Sequence, residues 1–186
     1  DPYYRDNELK VLPLMDNDFV YRRTFTAEEA LFDCEEVLLH FDGIDSLADV
    51  YLNGELLGSP FNMHRIWEFE VLNVLKPGEN ELKVVIYSPT KYIKEENEKV
   101  YTGGSHECMK GFPHLRKAHC MFGWDWGPRL PDAGIFRDVM LLGIKKARFE
   151  SVYVTQEHET IRVAEALADK VSKVTLDFDI VLELFQ

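Results

Sequence analysis

At 186 residues the chain can bury one good core and have some length left over, but it is too short for a barrel-type catalytic domain of roughly 250 residues. Lys and Arg total 21 against 33 Asp and Glu, a formal net charge of -12, so a phosphate backbone or an anionic bilayer repels it and neither nucleic acid nor membrane is expected as a partner. Apolar residues make up 46% and aromatic residues 12%, which suits a packed fold with rings to spare for a ligand and excludes disorder over most of the length.

The first elements are short runs rich in β-branched and aromatic residues. Phe19 to Phe25 and Glu36 to Phe41 read as strands. The clearest local signal is Ala48 to Leu57, where Asn53-Gly54 supplies the two positive-φ positions of a type I′ hairpin. Trp67 to Val71 alternates apolar with acidic residues, and after the turn Lys76-Pro77-Gly78-Glu79-Asn80 the run Glu81 to Tyr87 is another half-buried strand. Strands at this spacing without a βαβ period define an all-β, antiparallel sandwich.

Ser88-Pro89 ends the pattern, and the charged stretch Thr90 to Lys99 is expected to form a short surface helix before the loop Thr102-Gly103-Gly104-Ser105. Its run Glu95, Glu96 and Glu98 reads as a solvated face. From Tyr101 to Gly134 the chain is irregular and holds two tryptophans, three histidines and three prolines, a composition that favours function over plain connection. Strands resume at Ile135 to Leu142 and Phe149 to Thr155, and a domain boundary is expected near Lys145-Lys146-Ala147, giving domains 1–146 and 147–186. Val174 to Val181 alternates like the opening of a second sandwich, which the remaining length cannot complete, so the chain is expected to be truncated there. Ile161 to Val171 fits a helix as well as a strand and stays unassigned.

The long segment carries the chemistry. A pyranose offers a face of C–H groups to a flat ring and a rim of hydroxyls to charged acceptors and donors. Trp124 beside Asp125 meets both needs, with Gly123, Gly127 and Pro128 fixing an irregular backbone path. Composition alone favours the rival reading of Trp124-Asp125-Trp126 as a hydrophobic plug with its indole N–H groups satisfied internally, and both readings stay open. Arg116 is divided between ordering Asp125 or touching a hydroxyl rim and a plain surface role; Lys117 is expected at the surface. His119 is expected as a hydrogen-bonding support.

No pair of carboxylates suggests a glycosidase centre, since residues such as Glu68 and Glu70 sit at outward strand positions. No catalytic residue is therefore assigned. Cys34, Cys108 and Cys120 are an odd count without CxxC spacing, and together with His106, His114 and His119 they match no closed zinc pattern. Reduced, buried thiols are expected, with no metal and no cofactor. No run of about 18 apolar residues occurs, and the start Asp1-Pro2-Tyr3-Tyr4-Arg5-Asp6 lacks the features of a signal peptide, so a cytoplasmic location is expected.

At Arg116-Lys117-Ala118 and Phe122-Gly123-Trp124-Asp125-Trp126-Gly127-Pro128 the sequence resembles the amino-terminal sugar-binding domain of the β-mannosidases of glycoside hydrolase family 2. Phe41 to Gly54 and Gly134 to Val139 resemble motifs shared across that family with β-galactosidases and β-glucuronidases. The resemblance covers Asp1 to about Lys146. It implies a jelly-roll sandwich of the galactose-binding-domain type followed by the start of an immunoglobulin-like sandwich. It also implies that the two catalytic glutamates belong to a later barrel domain, the partner this chain would dock on. By the same carry-over Trp124 and Asp125 contact a terminal mannose of β-mannosides, and Trp126 and Arg116 support them. The family pattern has a further amino-terminal segment before Asp1, so an edge strand of the sandwich is expected to be missing. An autonomous carbohydrate-binding module and a structural interaction domain anchored by the tryptophans are the alternatives.

Overall fold

A computed structural model describes residues 1–125, 127–162 and 170–184, and places the chain in two compact units, Asp1–Gly143 and Ile144–Gln186. In the first unit, β1 (Phe19–Ala27), β2 (Glu36–Phe41), β3 (Ile44–Asp45), β4 (Ala48–Leu52), β5 (Glu55–Gly58), β6 (Trp67–Glu70), β7 (Gly78–Ile86), β8 (Gly134–Ile135) and β9 (Val139–Ile144), whose last residue begins the second unit, follow in chain order. They form a four-stranded sheet in the order β1-β7-β4-β5, a three-stranded sheet β6-β2-β9 and a small pair β3-β8.

Alternation in the sequence decides which side chains are inside. Along β4, Ala48, Val50 and Leu52 are buried while Asp49 and Tyr51 are half-buried on the other face. These residues share one core with Val84 and Ile86 of β7 and with Val37, Leu39 and Phe41 of β2. Side chains from both sheets therefore meet in a single apolar layer, which makes the unit an antiparallel sandwich as expected. Each fully buried side chain of this kind contributes about 1.5–3 kcal/mol relative to solvent.

The Asn53-Gly54 turn is present, with φ of 53° and 89°. Its stability extends beyond the hairpin. Asn53 Nδ2 donates to the Val74 carbonyl and to Asn80 Oδ1, both at 2.8 Å, and Asn53 Oδ1 accepts from the Glu81 amide at 3.1 Å. Asn80, fully buried, in turn donates to the carbonyls of Lys76 and Gly78 at 2.9 and 3.0 Å. One asparagine pair thus locks two chain reversals together. β7 begins at Gly78, inside the stretch read from sequence as turn, because Gly78 and Glu79 already pair with Ala27 and Thr26 of β1.

Two further differences from the sequence reading have local causes. The strand expected over 135–142 divides into β8, which pairs with β3, and β9, which joins β2 in the three-stranded sheet; between them Phe136 lies against Gly43, where an added Cβ would stand 2.5 Å from Phe136 Cζ. The segment before β1 is also ordered, as α1 (Asn7–Val11) and a 3-10 turn, Leu12–Asp16. It is fastened to the start of α2 (Pro89–Lys99), the expected charged helix. Ser88 caps that helix by accepting from the Lys91 amide at 3.1 Å, and Ser88 Oγ and Thr90 Oγ1 donate to the Met15 carbonyl at 2.6 and 2.9 Å. Ile93, buried, and Tyr92 beside it anchor the helix to an apolar cluster.

The second unit is a ribbon of β10 (Ala147–Arg162) and β11 (Lys170–Leu184), paired antiparallel with an irregularity between Phe149 and Ser151. Of the stretch left unassigned from sequence, Ile161 pairs with Val171 and Arg162 with Lys170, while 163–169 lie outside the described residues.

Candidate functional site

The long segment is irregular, as expected, and is held by sparse but specific backbone contacts. Two 3-10 turns, Phe112–His114 and His119–Met121, are joined to the rest through isolated bridges that pair Cys108 with Gly123 and Phe122 with Arg129. Beneath them a small apolar cluster of Ile93, Leu115 and Phe122 is buried, with Met109 and Phe112 against it. Phe122 is fully buried, whereas Trp124 is 47% exposed. The chain makes that passage in two residues because Gly123 and Trp124 both take left-handed backbone, φ 104° and 80°. No other residue type fits at Gly123: an added Cβ would stand 2.8 Å from the Glu107 carbonyl oxygen and 2.8 Å from Arg129 Cγ. The hydrophobic plug of this loop is Phe122, and the Trp124 ring is left facing outward.

Trp124 stands at the edge of a cleft of about 470 Å³ whose lining includes Tyr3, Arg5, Glu8, Glu107 and Arg129. Arg129 is the frame of this cleft. Its Nε donates to the Glu107 carbonyl at 2.8 Å, and its main-chain amide donates to Glu8 Oε1 at 3.3 Å across a separation of 121 residues. The Glu107 carboxyl is held below its ordinary pKa by the Ser105 hydroxyl, which donates to it, and by its own backbone amide. It is therefore an acceptor at neutral pH. Exposed rings with a fixed carboxylate and a fixed guanidinium are what a hydroxyl-rich ring with one apolar face needs.

Of the residues singled out from sequence, Trp124 lines the cleft and Asp125 follows it, exposed, on the same turn. Trp126 lies outside the described residues. Arg116 is exposed and its carbonyl accepts from the Met63 amide at 3.0 Å; it is not among the residues lining the cleft. Among the described residues neither Arg116 nor Lys117 forms an ion pair with Asp125.

Three expectations are corrected. Lys117 is not at the surface: its side chain is fully buried and its Nζ donates to Asp45 Oδ2 and to the Asp132 carbonyl. Leu115 and Lys117 are buried on either side of the exposed Arg116, so the three side chains alternate in and out at the single bridge that Arg116 makes with Asn62. Burial pushes the Lys117 ammonium below its ordinary pKa, against the opposing pull of Asp45. His119 is exposed, and its ring meets Phe112 edge-on, with centroids 4.8 Å apart, rather than making a supporting hydrogen bond among the described residues. Cys120 is exposed and Cys34 half-buried, so only Cys108 is the buried thiol expected of all three. Among the described residues no cluster of three His, Cys, Asp or Glu side chains has the arrangement of a metal site.

The cleft residues Tyr3, Arg5, Glu8, Glu107 and Arg129 were not found from sequence. Three of them come from the ordered amino-terminal segment, and nothing in their own spacing marks them.

An antiparallel sandwich with a long loop that presents an aromatic ring and fixed charges defines a galactose-binding-type domain. Residues 1–137 match the family described as glycosyl hydrolase 2 galactose-binding domain-like, and the chain belongs to that family. It is 35% identical over 150 residues to a mouse β-mannosidase, covering 76% of this chain and 17% of the mouse protein. With β-mannosidase B of Thermothelomyces thermophilus it shares 33% identity over 197 residues, covering 98% of this chain and 22% of that one. Its structure superposes on the β-D-mannosidase of Dictyoglomus thermophilum with a TM-score of 0.83 at 34% identity, over 99% of this chain and 21% of the other. A Bifidobacterium dentium β-glucuronidase gives a TM-score of 0.56 at 26% identity. The chain thus spans about a fifth of the length of the curated relatives it matches. The expected family and the all-β antiparallel sandwich are borne out, and the chain is an accessory domain of the glycoside hydrolase type.

Proposed function

We propose that this domain completes the subsite for a terminal β-mannosyl unit in a β-mannosidase-like enzyme by docking its Trp124–Asp125–Trp126 loop against a barrel catalytic domain of the same polypeptide. Trp124 stacks on the apolar face of the sugar and Asp125 accepts from its hydroxyls, with Trp126 as their support. The observation that carries this reading is the outward presentation of Trp124 from a strained, Gly123-dependent turn at the rim of a charged cleft. The β-mannosidases among its relatives supply the choice of mannose. In this reading hydrolysis belongs to the barrel, and the ribbon β10–β11 opens an immunoglobulin-like domain between the two.

A calorimetric titration of the chain with mannose and short β-mannosides, repeated with Trp124→Ala and Asp125→Asn, separates the possibilities. Millimolar or tighter binding lost in both variants makes the loop a self-sufficient sugar site. No binding by the folded chain moves the test to the complete polypeptide, where both substitutions should lower kcat/KM toward a β-mannoside by at least about tenfold. Unchanged kcat/KM there would sink the proposal.

A further inference from the structure

The buried Lys117 is not needed for sugar contact, and stability alone does not explain it. Removing an ammonium and a carboxylate from water is unfavourable, and a well-packed apolar pair of similar volume is commonly as stable or more so. What the charged pair adds is direction: a buried ammonium is satisfied only when its acceptors stand at fixed places around it.

Those acceptors lie on different parts of the chain. Asp45 belongs to β3 and is paired with Gly134 of β8, and its Oδ1 also accepts from Ser46 Oγ at 2.5 Å. The other acceptor is the Asp132 carbonyl. Lys117 immediately precedes the loop 118–131 and Asp132 immediately follows it. On either side of Lys117 the main chain is tied elsewhere, the Arg116 carbonyl to the Met63 amide and the Ala118 amide to Met63 Sδ at 2.9 Å. One ammonium therefore joins both ends of the Trp124 loop to a strand of the sandwich.

We propose that the Lys117–Asp45 pair is the positioning element of this loop, closing its base on the sandwich so that the Gly123–Trp124 turn presents the ring in one orientation. Lys117 acts through the loop and does not touch the sugar. The functional half of this inference rests on the sugar-binding reading above; the structural half does not.

The test is the double variant Lys117→Met with Asp45→Leu, which removes both charges together so that no buried charge is left uncompensated, while the Ser46 hydroxyl and the Asp132 carbonyl lose these partners. Amide hydrogen exchange is followed at Met121, Phe122 and Trp124 of the loop and at β4 and β7 of the sandwich, beside β-mannoside affinity. Exchange should quicken by about tenfold or more in the loop while the strands change by less than about twofold, and any measurable sugar affinity should fall by about tenfold. A folded variant with unchanged loop exchange overturns the inference, as does a variant whose strands and loop quicken together, since the pair would then be an ordinary core element. Should the double variant not fold, Asp45→Asn carries the same comparison, and loss of the fold there too counts against a positioning role. If the wild-type chain binds no mannoside, the sugar-binding reading of the isolated chain fails while the exchange data still decide this one.

Discussion

Among the described residues two places put consecutive residues into left-handed backbone, Asn53-Gly54 and Gly123-Trp124, and they use the same geometry for opposite ends. At the first the residues suit the dihedrals: Asn53 spends its amide on three hydrogen bonds, and nothing stands within 4 Å of where a Gly54 Cβ would be. The turn is open and relaxed, and it reverses the chain. At the second, glycine is wedged against the Glu107 carbonyl and Arg129, and the next residue is a bulky aromatic in a region that costs such a side chain about 1–2 kcal/mol. Here the backbone spends stability to place a ring. Strain of this kind persists where the surrounding structure imposes it, and in this loop it coincides with the cleft.

The largest expected effect contrasts the two glycines. Gly123→Ala must displace a backbone oxygen as well as adopt φ near 104°, and is expected to cost about 3 kcal/mol in urea unfolding, while Gly54→Ala meets only the dihedral penalty of about 1 kcal/mol. Equal costs would show that the loop relaxes around a new Cβ and that its geometry is not imposed. Next comes Asn53→Ala, which strips the Val74, Asn80 and Glu81 partners and leaves buried Asn80 short of a donor. A loss of about 2 kcal/mol is expected.

Trp124→Gly should act with the opposite sign. It removes the dihedral penalty along with whatever the indole contributes, so the unfolding midpoint should hold or rise, by up to about 1 kcal/mol, while mannoside binding by the chain or the complete polypeptide disappears. A clear loss of stability would make Trp124 a packing residue and weaken the contrast between the two turns.

The same contrast explains what could be read from the sequence. Asn-Gly between alternating runs has a single cheap structural meaning, and β4, β5 and the core alternation of Val50 and Leu52 followed from it. Gly-Trp has no such default meaning, and composition favoured a plug at Trp124; the plug is two residues earlier, at Phe122, where the tertiary cluster with Ile93 and Leu115 reveals it. Lysine at position 117 reads as surface because an uncompensated buried ammonium is unfavourable, and its compensation by Asp45 and Asp132 lies far away in sequence. Glu8 reaches the cleft from 121 residues before Arg129, a distance that no motif spans.

The smallest effect tests whether the two regions are independent. His40 on β2 lies opposite Glu68 on β6, with Nδ1 2.9 Å from Glu68 Oε1 and Nε2 3.0 Å from Asp42 Oδ1. Burial works to lower its pKa, but the hydrogen bonds and charges of Asp42 and Glu68 outweigh it and raise the value above 6.5. A raised folded pKa gives a stabilising contribution that is complete below the unfolded value and is lost as pH climbs through the folded one. Because the cluster is partly solvated, the stability difference between wild type and His40→Gln should shrink by only a few tenths of a kcal/mol between about pH 6 and pH 8. Mannoside affinity should show no His40-dependent step over that interval. If it does, the ionisation on β2 reaches the Trp124 loop, and the division between a relaxed sandwich and a separately imposed loop has to be given up.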